Sequence, residues 1–237
     1  MAAKRHIALF GLVLALTGGC APIAEQPAAP ARDRPAGFPD AFYLAARERG
    51  EPVYRIDTAR SIAVIRVYRG GRLSGLGHDH VVASRDIHGF VLLPADFQKG
   101  RADLYIPLDS MSVDEPALRA EAGFQTQPSA IDIENTRRNM LDKTLETVRY
   151  PFVTLRLTPR PGRLPAVSVN ADITLRGNTR TQVVPVEVEV SANSLRISGQ
   201  FGLHQSEYGI APFSVLGGAL QVEDRVDIRF ELYATPL

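Results

Sequence analysis

Residues 184–190 read Val-Pro-Val-Glu-Val-Glu-Val, and residues 226–232 read Val-Asp-Ile-Arg-Phe-Glu-Leu. Apolar side chains recur at every second position in both, with Glu187, Glu189, Asp227, Arg229 and Glu231 set between them. A strand sends successive side chains to opposite faces, so a period of two means strands with one face buried and one in water. Ala63, Ile65 and Val67 around Arg66 repeat the pattern, as do Ala102, Leu104, Ile106 and Leu108 against Arg101, Asp103 and Tyr105. Sheets solvated on one face are characteristically antiparallel.

Extended outward, the alternation predicts strands over 53–58, 61–69, 85–93, 101–109, 150–158, 166–176, 181–190 and 195–204, with a ninth over 225–234. Gly177-Asn178 and Ala192-Asn193 mark tight turns between the later strands. No strand–helix–strand alternation occurs, which excludes a doubly wound nucleotide-binding fold. From Asp109 to Tyr150 the pattern stops. Pro116 to Ala122 reads as a short helix ended by Gly123, and Ser129 opens a second running to about Lys143 or Leu145. On that helix Ile133, Met140, Leu141 and Leu145 oppose Glu134, Arg137 and Arg138, so it is expected to cap one end of the sheet. Asp40 is expected to cap a further short helix through Arg49, lying against the domain as a lid or plug. Half-buried antiparallel strands in this number suit a closed barrel, which removes exposed edges.

The composition, with 45% hydrophobic and 22% charged residues over 237, is that of a globular chain. Formal charge is +1; without Lys4 and Arg5, 25 basic residues face 26 acidic ones, which excludes a general electrostatic grip on nucleic acid. The single cysteine, Cys20, excludes an intramolecular disulfide framework and a Cys-built metal site within one chain.

Lys4-Arg5, the apolar run Ile7–Leu16 and the small residues Gly18-Gly19 before Cys20 read as a secretory signal peptide of residues 1–19. The run is too short for a transmembrane helix, which needs about 20 apolar residues. Small residues before a cysteine resemble a bacterial lipobox, although Thr17 stands where leucine is usual, and so Cys20 is expected to carry the lipid anchor. In the same resemblance, Ala21 after the cysteine directs the protein to the outer membrane. Residues 20–39, rich in Pro and Ala, form a tether; 40–52 hold the short helix and a linker; 53–237 form the barrel domain.

Five pieces of the body resemble the YceI-like family: Tyr54-Arg-Ile-Asp57 with Ser61; Ile106-Pro-Leu-Asp109 with Ser110-Met-Ser-Val-Asp114; Asn139-Met-Leu141 before Tyr150-Pro-Phe-Val-Thr154; Ala171-Asp-Ile-Thr-Leu-Arg-Gly177 with Thr179; and Glu207-Tyr-Gly-Ile210 with Val226-Asp-Ile-Arg-Phe230. The resemblance spans roughly 53–234. It implies an all-β, lipocalin-like antiparallel β-barrel of about eight strands on the periplasmic side of the bacterial envelope, carrying the helical insertion (about 116–145) and the short N-terminal helix. It also implies non-enzymatic binding or transport of a polyisoprenoid or other lipid in an interior tunnel, with no cofactor besides that ligand. Two departures stand out. The strand after Ser61 ends Tyr68-Arg69 without the family's histidine and leads into Gly75-Leu-Gly-His-Asp-His80, and Gln205 stands where an arginine is frequent.

Alternation with the resemblance names Ala63, Ile65, Val67, Val91, Leu93, Leu104, Ile106, Leu155, Ile173, Val186, Phe201 and Leu203 as ligand-facing wall residues. A one-residue slip in register would exchange each for its neighbour. Aliphatic alternation does not separate a lined tunnel from a filled core, so a ligand-free interaction module stays open, as does a homodimer.

His78, Asp79 and His80 are the candidate polar contacts at the tunnel mouth. Two histidines at i and i+2 on extended chain point the same way, and His88 or His204 would have to supply a third ligand for a metal- or cofactor-dependent redox protein. Ser74, His78 and Asp79 lie too close in one loop to form a triad, no nucleophile elbow exists, and Gly75-Leu-Gly77 is not a phosphate loop. No catalytic residue is assigned.

Overall fold

The computed structural model describes residues 34–237. The expected signal peptide, Cys20 and most of the tether lie outside the described residues. The elements are α1 (Asp40–Glu48), β1 (Val53–Ile56), β2 (Ile62–Gly70), β3 (His80–Ser84), β4 (His88–Leu92), β5 (Arg101–Pro107), β6 (Ser112–Val113), α2 (Pro116–Ala122), α3 (Ala130–Asn139), β7 (Phe152–Pro159), β8 (Ala166–Leu175), β9 (Asn178–Val190), β10 (Leu195–His204), β11 (Ser214–Val215) and β12 (Leu220–Pro236).

All pairings are antiparallel, in the order β1-β4-β5-β7-β8-β9-β10-β12, and β12 returns to β1 through Tyr54 opposite Pro236 and Ile56 opposite Ala234. The result is a closed eight-stranded antiparallel barrel. Three of its strands are broken by kinks. β2 continues β1 along the same edge of β12, β3 continues β4 backwards, and β6 extends β5, with β2 pairing β3 and β3 pairing β6. Segments 53–58 and 61–69 are therefore one barrel strand bent at 57–61, where Ser61 Oγ donates to the Asp57 carbonyl at 2.7 Å.

The longer strands form close to where alternation placed them, with β9 and β12 starting earlier, at Asn178 and Leu220. β3 and the two-residue β6 and β11 were not expected, and the strand expected over 85–93 begins at His88. In β3 and β4 the outer side chains are buried too, because helices cover them. Leu118, Ala122 and Phe124, on and beside α2, pack on Val64, Val81 and Ala83. Tyr43 and Ala46 of α1 pack on Val53, Phe90 and Leu92. A strand covered on both faces loses its period of two.

Asp40 does not cap α1. Pro39 holds that position, and Asp40, already helical, accepts a hydrogen bond from Arg34 at 2.7 Å. Nor is α1 a lid: it lies on the outer wall, with Tyr43 Oη donating to Asp103 at 2.6 Å. Ser129 caps α3 in a reciprocal box with Asp132, and the helix passes into a π-helical turn over Met140–Thr144. Ile133, Met140 and Leu145 pack on Leu108, Met111 and Val113 across one end of the barrel.

Candidate ligand-binding site

The barrel interior holds a cavity of about 350 Å³, within the size range of small-molecule sites. Its walls come mainly from the inward positions of the strands. Ala63, Ile65 and Val67 of β2, Leu104 and Ile106 of β5, Leu155 of β7, Ile173 of β8, and Phe201 and Leu203 of β10 all line it. Val91, Leu93 and Val186 line instead a second void of about 80 Å³. Leu104, Leu157, Phe230 and Leu232 line both and stand between them. Opposite Phe230, on the two neighbouring strands, sit Ala63 and Gly199, small residues beside a large one.

One end of the larger cavity is lined largely by residues outside the strands: Thr136, Asn139, Met140 and Thr144 from α3 and its π-turn, and Gln205, Ile210 and Phe213 after β10, with Val222 at the start of β12. The only signal for the first group was the Met140–Leu145 stripe. Among the described residues, no Asp, Glu, Lys or Arg lines this cavity; its polar groups are His80, Thr136, Asn139, Thr144 and Gln205. Gln205 is buried, and its Nε2 donates to the Glu223 carbonyl at 2.9 Å.

His80, the first residue of β3, is held from behind. Its Nδ1 lies 2.6 Å from Asp114 Oδ2, while Asp114 Oδ1 accepts from the Val81 amide at 2.9 Å and from Arg119 Nη1 at 2.6 Å. Arg119 Nη1 also donates to the Asp79 carbonyl at 2.6 Å. Burial raises the Asp114 carboxyl's affinity for its proton, but hydrogen bonds from His80, the Val81 amide and Arg119 outweigh burial and hold it below the usual carboxylate range. An ionised carboxylate only accepts, so Nδ1 carries the ring proton and Nε2 is left to an occupant of the cavity. In the sequence Asp114 appears only as the end of one family-like piece, and neither it nor Arg119 was given a role, since their spacing across Pro116 fits no motif.

His78 and Asp79 do not line the cavity. Asp79 Oδ1 accepts from the Arg69 amide at 3.0 Å, and His78 Nδ1 is buried without a hydrogen-bond partner, its ring centroid 6.3 Å from that of His80. Among the described residues, the remaining histidines, His88 and His204, do not join them. His88 stacks on Tyr105 at 4.9 Å and meets Asp86, and His204 is exposed beside Asp224. Among the described residues, no group of three or more His, Cys, Asp or Glu is placed to hold a metal ion.

A family model described as the YceI-like domain matches residues 54–234. BcnA of Burkholderia cenocepacia is 19% identical, with a TM-score of 0.57, over 76% of this chain and 99% of that one. A polyisoprenoid binding domain of Saccharophagus degradans, implicated in plant cell wall breakdown, is 16% identical with a TM-score of 0.54, over 79% of this chain and 100% of that one. At these identities the likeness concerns the fold. No curated protein matches the sequence.

Proposed function

This chain belongs to the YceI-like domain family, and from that premise we propose that it binds a long apolar ligand, a polyisoprenoid or similar lipid, inside its barrel. The observation that carries this reading is the cavity of about 350 Å³ with, among the described residues, no charged side chain in its lining. Each methylene transferred from water into such a lining contributes about 0.8 kcal/mol, so chain length sets affinity. The solved polyisoprenoid binding domain of the same fold supports the ligand class.

The polar end of the ligand belongs beside His80, Asn139 and Gln205, which can hydrogen-bond a hydroxyl or amide. Among the described residues no Arg or Lys lines this end to pair with a buried phosphate or carboxylate. His78 and Asp79 support the His80 segment from outside the cavity. The reading is one of binding or carriage, without catalysis. The basic start, apolar run and Cys20 support an envelope location on the periplasmic side, with a lipid anchor at the outer membrane.

Retinol, a fluorescent isoprenoid alcohol, tests the reading. Leu155→Trp fills the cavity from β7, and it is expected to weaken retinol binding at least about tenfold with an unchanged far-ultraviolet spectrum. Equal binding by both proteins would refute an interior site.

A further inference from the structure

Two loops stand at the α3 end of the cavity. Residues 70–77, Gly-Gly-Arg-Leu-Ser-Gly-Leu-Gly, follow β2, and residues 208–222, Tyr-Gly-Ile-Ala-Pro-Phe-Ser-Val-Leu-Gly-Gly-Ala-Leu-Gln-Val, lead into β12. They are joined: the Leu73 amide donates to the Ala219 carbonyl at 2.8 Å, and β11 pairs β12 at Ser214–Gln221. The second loop turns Ile210, Phe213 and Val222 into the cavity. Its outer side and the first loop show Leu73, Leu76, Val215 and Leu216 to solvent, at 39, 72, 40 and 69% exposure.

Exposed apolar residues scattered singly need no explanation, but four on two linked loops beside an apolar cavity form a patch. The charge pattern points the same way. In a chain with 22% charged residues, residues 208–222 contain no Asp, Glu, Lys or Arg, and residues 70–77 contain Arg72 alone. Lys143 lies against the Phe213 ring at 5.9 Å. Charges of both signs edge this rim, Arg72 and Lys143 on one side and Glu207, Glu223 and Asp224 on the other, but the rim itself is uncharged and apolar and adjoins the apolar cavity, which fits the interface of a lipid bilayer.

We infer that this lip docks on the surface of a lipid bilayer and that ligand passes between membrane and barrel there. The ligand-transfer half of the inference rests on the binding reading above; the docking half does not. Leu76 and Leu216 line neither cavity, so they can be changed without touching the site.

The experiment uses residues 21–237, which lack both the apolar run Ile7–Leu16 and Cys20, so that neither leader nor acyl chain contributes to attachment. This protein is expected to co-sediment with vesicles of phosphatidylethanolamine and phosphatidylglycerol. Leu76→Asp/Leu216→Asp is expected to weaken co-sedimentation at least about tenfold, and Arg72→Gln roughly fivefold in a salt-sensitive way. Retinol delivered from ethanol should bind the parent and the double variant equally, whereas its uptake from vesicles should slow in the variant. Equal co-sedimentation of both proteins, or none by the parent, overturns docking. So does a dimer that the double substitution converts to a monomer with vesicle binding unchanged, since the lip would then be a self-association surface. If the parent binds vesicles through the lip but takes up no retinol from either source, docking stands and the binding reading fails.

Discussion

Asp114 ties His80 to the residues behind it. Its carboxylate is fully buried, its backbone sits at φ 55°, and it meets His80, the Val81 amide and Arg119 at once. Asn also tolerates the left-handed region, so Asp114→Asn removes the charge without adding backbone strain. It leaves the buried Arg119 guanidinium without its anion, at a cost of about 3–5 kcal/mol. It also lets His80 turn, so retinol binding should weaken along with stability, a joint loss that calorimetry and fluorescence would register. The pH dependence follows from the lowered carboxyl. A carboxyl bound more weakly to its proton in the folded state contributes stability above its unfolded value of about 3.9, and loses it as pH falls through the folded value. Acid unfolding of the parent should therefore steepen below about pH 4, and Asp114→Asn should flatten that limb. An unchanged limb would mean that other carboxylates govern it. Asp103, lowered by Arg101, Tyr43 and Arg156 against the opposing effect of burial, is the first alternative.

At the scale of elements, the helices explain both what was legible in the sequence and what was not. Strands with one wet face, such as β8, β9 and β10, show their inward residues directly, and Ile173, Val186 and Phe201 were named from alternation together with the resemblance. β3 was hidden because Val81 and Ala83 lie under α2. The cavity end was hidden because a helix and a loop build it, and neither has a strand's period. The number of half-buried strands, with the resemblance, supplied the closed barrel but not the kinks that split three strands. α1 was expected as a lid because a short amphipathic helix beside a barrel reads the same way whether it covers an opening or a wall. Its actual anchor is Tyr43, whose ring stacks on Phe90 at 5.1 Å and whose hydroxyl donates to Asp103. Tyr43→Ala empties a fully buried site and should cost about 3–5 kcal/mol. Because α1 lines neither cavity, retinol affinity at a temperature well below unfolding should be unchanged; a large gain or loss would restore the lid.

Over the whole molecule, the two voids raise the question of how long a chain the barrel accepts. They lie in series, about 350 and 80 Å³, with Leu104, Leu157, Phe230 and Leu232 between them. Phe230 is the largest of the four. Its room comes from its neighbours: a Cβ on Gly199 would fall 2.7 Å from the Phe230 ring and 2.6 Å from the Pro185 carbonyl, and Ala63 is short on the other side. The ring therefore has a built place rather than a leftover one, and it divides the interior. Phe230→Ala removes the partition at a cost of about 3 kcal/mol, the lower end for such truncations because the ring is half-buried. In the parent, the first void fixes the length of chain that gains by burial, so methylenes beyond it add little. In the variant the second void becomes reachable, and each added methylene is again worth up to about 0.8 kcal/mol. Competition against retinol by farnesol and by geranylgeraniol, which is one isoprene unit longer, should then shift toward the longer alcohol by about tenfold relative to the parent. An unchanged ratio in a folded variant would mean that the smaller void is a packing defect and that the ligand ends at Phe230.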